Sequence, residues 1–268
     1  MPLSIRLGRR VLTLHSLLGY VFLYAPILIL LVFSFNASKF ASADWSGFTF
    51  KWYLKLFQDE AIGSALKNSL YVGFVSTFVS AIFGTMVALA MERYNFWGKL
   101  AFDALLYLPI IIPEISMAVM MLLFFVMAKI PLSRTTIIIS HIAFDISFVA
   151  IVVRARLAQF DTALEEAAQD LYANGMKTFL RVTLPLLMPG ILGGSLLAFT
   201  LSLDDFVIAF FTSGPGSTTL PLRIYSMVKL GVTPEINALS AVMLLASFIL
   251  VMLSFSLQKG GGGKFDLV

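Results

Sequence analysis

Cysteine is absent from this 268-residue chain, and histidine occurs only twice, at His15 and His141. The first absence excludes a disulfide framework, a thiolate metal site and a cysteine nucleophile. The two histidines lie far apart and match no metal-ligand spacing, so no metal site and no catalytic constellation are expected. Charge is scarce as well. Only 13% of the residues are Asp, Glu, Lys or Arg, where a soluble domain carries about 25%. Hydrophobic residues make up 59% of the chain, against roughly 45–50% in soluble domains. That leaves too little polar surface to cover a water-soluble globule, so the composition points to a bilayer. The formal charge of +4 is modest and fits basic bias in loops beside membrane spans rather than nucleic-acid binding.

What is present are long apolar runs. Six spans are expected, at residues 14–35, 69–91, 101–127, 136–153, 190–211 and 236–257, in a single membrane domain covering 1–268. Each reaches or approaches the ~20 residues that cross the hydrocarbon core as a helix. Helix is required because lipid cannot satisfy free backbone groups, so the fold class is an all-α polytopic membrane protein. Pro109 and Pro113 predict a kink in the third span. The first run is longer than the 7–15 residues of a signal-peptide core, so it is read as an uncleaved helix. Arg9 and Arg10 precede the first span, and Arg154 and Arg156 follow the fourth. These flanks lead to the expectation that both termini lie on the cytoplasmic side of the membrane. The loops 36–68 and 212–235 then lie outside. Trp45, Trp52 and Tyr53 in the first suit an interfacial aromatic belt, and Ser213-Gly214-Pro215-Gly216-Ser217 in the second is rich in turn residues.

The inner loop 154–188 carries the most information. Leu164, Ala167, Ala168, Leu171 and Tyr172 form one apolar stripe at helical spacing, with Glu165, Glu166, Gln169 and Asp170 on other faces. Thr162 and Glu165 are spaced as a capping box, and Asn174-Gly175 reads as a helix stop. A second short helix is expected from Met176 to Leu184. Such a helix either rests on its own bundle or inner leaflet, or fits a groove on a partner.

Glu166-Ala167-Ala168, followed by Val182-Thr183-Leu184-Pro185, resembles the EAA loop of binding-protein-dependent ATP-binding-cassette importer permeases. The family pattern carries glycine where Tyr172 stands, and Gly175 is expected to supply the break instead. Asn68-Ser69-Leu70, Leu108-Pro109, Ile112-Pro113-Glu114, Ser202-Leu203-Asp204-Asp205-Phe206 and Leu220-Pro221-Leu222-Arg223-Ile224-Tyr225-Ser226 extend the likeness over nearly the whole chain. They are similar to the second permease subunit of the spermidine/putrescine branch. The resemblance implies a type I importer permease fold with six transmembrane helices and a cytoplasmic coupling helix. Glu166, Ala167, Ala168, Leu171, Tyr172 and Gly175 would seat that helix on an ATPase subunit. It also implies four kinds of partner: a second permease, a cytoplasmic ATPase dimer, an external polyamine-binding protein and membrane lipid. No cofactor of the chain's own is expected, ATP and Mg being used by the ATPase. The residues 259–265, Lys-Gly-Gly-Gly-Gly-Lys-Phe, are no phosphate-binding loop: Gln258 stands at its first glycine position and Phe265 at its Ser/Thr position.

Four acids lie within the apolar spans: Glu114, Asp145, Asp204 and Asp205. Each costs about 2.5–3.5 kcal/mol at a helix centre on insertion scales. No Lys or Arg lies deep in a span to pair with them, so they are expected to face a watery cavity, a partner subunit or a cation. Neighbours on a helix point about 100° apart, so one of Asp204 and Asp205 should line the path. The other should be held by hydroxyls or helix ends, with Ser202 and Thr200 as candidates. A path lined by carboxylates suits a polyamine. The rival readings are a permease of the same family for another small substrate, a proton-coupled secondary carrier of cations, which predicts an internal repeat not seen here, and an intramembrane aspartyl enzyme, for which no motif exists.

Overall fold

Apolar segments with no water to pair their backbone fold as helices, and helices make up nearly all of the described structure. The computed structural model describes residues 3–38, 44–231 and 233–260. Its helices are α1 (Leu3–Phe33), α2 (Lys51–Gln58), α3 (Glu60–Arg93), α4 (Lys99–Ile111), α5 (Glu114–Met127) and α6 (Arg134–Leu157). They continue as α7 (Ala163–Asp170), α8 (Gly175–Thr178), a π-helical turn (Phe179–Thr183), α9 (Leu184–Asp204), α10 (Val207–Thr212), α11 (Leu220–Leu230) and α12 (Pro234–Gly260). Among the described residues the only strand-like pairing is an isolated bridge between Asn36 and Phe48. Most of the glycine-rich tail, 261–268, lies outside the described residues.

Among the described residues, four helices are long and apolar enough to cross a membrane unbroken: Val11–Phe33, Glu60–Arg93, Arg134–Leu157 and Gly175–Asp204. The third expected span is a broken pair, α4 and α5, whose axes differ by 110°. The break falls at Ile112-Pro113, while Pro109 stays inside α4. Pro113 has no N–H and forces its predecessor out of the helical region. Ile112 is accordingly extended (φ −70°, ψ 134°). The fifth span differs more from expectation. It starts well before Gly190, runs through Pro185 and Pro189, and breaks at Asp205 instead of continuing to residue 211. The π turn is the reason the entry is continuous. It shifts the pairing so that Leu184 N–H donates to Phe179 C=O just before Pro185, which has no donor to give.

The helices gather into two compact units, 1–60 with 224–268, and 61–223. In the first, α1 and α2 both pack on α12. The Trp52 indole is buried and donates to the Asn36 carbonyl at 2.8 Å, and Tyr53 shares a 2.7 Å hydrogen bond with Ser34. Trp52 is therefore a packing residue rather than part of an interfacial belt; Trp45 is exposed. In the second unit α3, α6 and α9 share a core of Ala88, Val149, Val153, Leu157, Leu187 and Ala198. The helices close on Val149 because glycine faces it from both sides. A Cβ on Gly84 would lie 2.7 Å from Val149 Cβ, and one on Gly194 would lie 3.2 Å from Val149 Cα. Gly84→Val is expected to destabilise by about 1–3 kcal/mol through overpacking. An unchanged thermal midpoint of the purified chain would contradict this packing.

Candidate functional site

Two helix breaks of the second unit meet at one cavity. Its volume is about 440 Å3, and its wall includes Pro109, Ile112 and Glu114 from the first break and Asp204, Asp205 and Phe206 from the second. Phe144 and Phe148 of α6 complete the aromatic part of the wall. Glu114 opens α5, where the free N–H groups of a helix start favour an acid. Glu114 and Asp204 are both exposed.

Asp205 is held instead. Its φ and ψ are extended (−62°, 122°), which ends α9. Its carboxylate accepts from Ile208 N–H at 3.1 Å and Ala209 N–H at 2.8 Å, the orphan donors of the first turn of α10. The third partner is His141 Nε2 at 3.1 Å, with the ring only 2% exposed. A carboxylate only accepts here, so Nε2 carries the hydrogen. The other ring nitrogen, Nδ1, meets Ser202 Oγ at 2.6 Å, and Ser202 meets Ser76 Oγ of α3 at 3.3 Å. Asp204 is exposed on the cavity while Asp205 is buried at its wall and held, and the cause of this difference is a chain break, not helical phase. Ser202 acts through His141, and Thr200 donates its hydroxyl to Leu196 C=O. Sequence reasoning passes over His141 as a site residue. Its legible signal is a polar side chain one helical turn from Asp145 in an otherwise apolar run.

Asp145 differs from the other three acids. It is fully buried, does not line the cavity, and neither carboxylate oxygen has a hydrogen-bond partner among the described residues.

The α7 region forms a second feature. Glu165 is drawn inward: its carboxylate accepts from Arg93 Nη2 at 2.6 Å, at the end of α3, and from the Thr183 hydroxyl of the π turn. This overrides the expected capping box. Thr162 is helical and makes no side-chain cap, and Asp161 Oδ1 accepts from Ala163 N–H at 2.9 Å instead. The stripe faces outward. Leu171 is 82% and Tyr172 97% exposed, Leu164, Glu166 and Ala167 are exposed, and Ala168 is half-buried.

The helix end also departs from expectation. Ala173 N–H donates to Ala168 C=O and Tyr172 N–H to Gln169 C=O, a Schellman motif with Tyr172 at its left-handed position (φ 61°). Asn174-Gly175 is not the stop. Asn174 caps the next helix, accepting from Lys177 N–H, and Gly175 is the first residue of α8. The turn thus keeps its place where the resembling family carries glycine, and the tyrosine bears the strain. Tyr172→Gly is expected to raise folding stability by about 1 kcal/mol, the left-handed penalty of a non-glycine residue. A thermal midpoint that falls would refute this.

Helices interrupted at membrane depth, an acid-walled cavity at the interruptions and an outward-facing amphipathic helix describe a membrane transport subunit. Residues 80–260 match the family model "Binding-protein-dependent transport system inner membrane component", and the chain belongs to that family. It is 43% identical over 235 residues to the putrescine transport system permease protein PotI of Escherichia coli (strain K12), covering 85% of this chain and 83% of that protein. It is 41% identical over 235 residues to the spermidine/putrescine transport system permease protein PotC of the same strain, covering 88% and 89%. In fold it resembles a chain of a bacterial ABC transporter involved in the import of the acidic polysaccharide alginate. The TM-score is 0.74 at 18% identity, over 97% of this chain and 98% of that one.

Proposed function

We propose that this chain is a polyamine-conducting permease subunit of an ATP-binding-cassette importer in the bacterial inner membrane. The observation that carries the reading is the cavity in which Glu114, Asp204 and Asp205 converge at two helix breaks, with aromatic rings and no Lys or Arg on its wall. Broken helices are tolerated at membrane depth where they line a path. Carboxylates attract a flexible polycation by charge-assisted hydrogen bonds, and phenylalanine faces add cation–π attraction. Several such groups, none enclosing the ligand, also allow release.

With α4 and α5 counted as one broken span and α12 as the last, the chain crosses six times with both termini inside. The helix α7 then lies on the cytoplasmic side. Its exposed face, Glu166, Ala167, Leu171 and Tyr172 with Ala168 and Gly175 beside them, is the docking surface for a partner ATPase. That partner uses ATP and Mg; this chain hydrolyses nothing itself. Glu165, fixed to Arg93 and Thr183, passes motion of α7 to the ends of α3 and α9. A second permease completes the path and an external binding protein delivers the substrate. The homology to putrescine and spermidine/putrescine permeases supports the substrate class. The test is uptake of radiolabelled spermidine and putrescine by proteoliposomes holding the full complex. ATP-dependent uptake, competed by other polyamines and not by anions, is expected. Absence of polyamine uptake by an ATP-hydrolysing complex would reject the substrate class.

A further inference from the structure

Asp205 does not hold its place in the cavity wall unaided. We propose that His141 is a positioning residue of the transport site, its ring fixing the Asp205 carboxylate at the break between α9 and α10. The inference rests on the reading of the cavity as the polyamine path.

Ending α9 at Asp204 leaves backbone groups at the break without helical partners. Asp205 takes two of them, the N–H groups of Ile208 and Ala209, and His141 Nε2–H supplies a third donor. Glu114 and Asp204 line the same cavity, so a carboxylate at 205 that lost a donor would experience like-charge repulsion from both. The imidazole opposes this only if it cannot turn. Its rotation is blocked at the far nitrogen: with Nε2 protonated, Nδ1 accepts from the Ser202 hydroxyl, and Ser202 accepts in turn from Ser76, which shares its hydrogen with Gly73 C=O at the same 3.3 Å. The polar groups form one directed chain from α3 through α9 to α6 and back to the break. Every member is buried, with Ser76 and His141 at 0% and 2% exposure, so water does not substitute for a missing link. Networks of this kind are worth more than their separate pairs. Two further titratable groups lie near the ring: Glu114, which faces Asp205 across the cavity wall, and Asp145, one turn further along α6, which makes no hydrogen bond to it.

His141 does not line the cavity, so its effect on transport must pass through Asp205. That makes the inference testable with the full complex in proteoliposomes, reading spermidine moved per ATP hydrolysed at matched amounts of assembled complex. His141→Leu is expected to lower this ratio about tenfold, the scale of one charge-assisted hydrogen bond. His141→Gln, whose amide presents an N–H near the Nε2 position, should recover most of it. Ser202→Ala, which leaves Asp205 its three donors but frees the ring, should lower the ratio by less. If His141→Leu does not assemble, the Gln and Ser202→Ala variants carry the measurement. Because His141 works through Asp205, His141→Leu should add nothing to Asp205→Asn, a double-mutant cycle far from additivity.

Additive effects would overturn the inference, as would a normal ratio in His141→Leu with only the amount of complex reduced. A normal ratio in both His141→Gln and Ser202→Ala, where Leu fails to assemble, would do the same. If Asp205→Asn itself transports normally, the path reading fails and the inference with it. An impaired Asp205→Asn beside unimpaired His141 and Ser202 variants sinks the inference alone.

Discussion

An Ala167→Asp chain is expected to insert and fold, yet to recover no ATPase on purification and to support no uptake. Ala167 is exposed on α7 and belongs to none of the buried cores, so the substitution costs its own fold only the helix-propensity difference, below about 0.7 kcal/mol. At a docking interface the balance differs. The small side chain is what lets a partner surface close on the helix, and an uncompensated buried carboxylate costs about 3–5 kcal/mol. That is a loss of binding on the order of 10²–10⁴-fold. Glu166→Lys reverses the charge of the exposed neighbouring residue and should behave alike. Glu165→Ala is the informative comparison. Its carboxylate points inward to Arg93 and Thr183, so the ATPase should still co-purify while less substrate moves per ATP hydrolysed. Normal co-purification and uptake by Ala167→Asp would remove α7 from the docking surface.

The parts of this arrangement that the sequence disclosed are those that depend on local pattern. The amphipathic stripe of α7 and the break at Pro113 follow from side-chain periodicity and from a missing N–H, both written in a few consecutive residues. The turn at 213–217 is equally local: Ser217 closes it with its hydroxyl on Gly214, and Gly214 passes so near the Leu132 backbone that no side chain fits. The parts that were not legible depend on partners far along the chain. Glu165 has the spacing of a capping-box residue, but Arg93 offers it a full charge and Thr183 a hydroxyl, and these outcompete a local amide. The break at Asp205 contains neither proline nor glycine. It forms because the carboxylate is worth more to the amides of α10 and to His141 than a continued helix would be, and His141 lies 64 residues away. Asp145 and Asp204 look alike as acids in apolar runs, yet one is sealed inside the bundle and the other opens on the cavity. Only the packing of α3, α6 and α9 separates them.

Neutralising Glu114 and Asp204 together, as Glu114→Gln with Asp204→Asn, is expected to cut spermidine uptake by about two orders of magnitude, about tenfold or more for each charge-assisted hydrogen bond removed. Both side chains reach the cavity from different helices, so the amides keep the shape of the wall while neutralising two of its carboxylates. Neither substitution touches α7, so ATP hydrolysis by the complex should persist while the substrate moved per ATP falls. That is the opposite signature to Ala167→Asp, which loses the ATPase itself. Uptake of a smaller diamine should fall less than that of a triamine, because fewer ammonium groups meet the wall at once. Asp145→Asn divides the four acids by position. A carboxylate with no hydrogen bond and no place on the cavity wall has little to offer a passing cation, so its neutralisation should cost less than that of either wall residue. Equal losses from Asp145 and Asp204 would mean that the path runs through the bundle core rather than along the two breaks. Unchanged uptake by the Glu114–Asp204 pair would leave the cavity without a role in carrying charge.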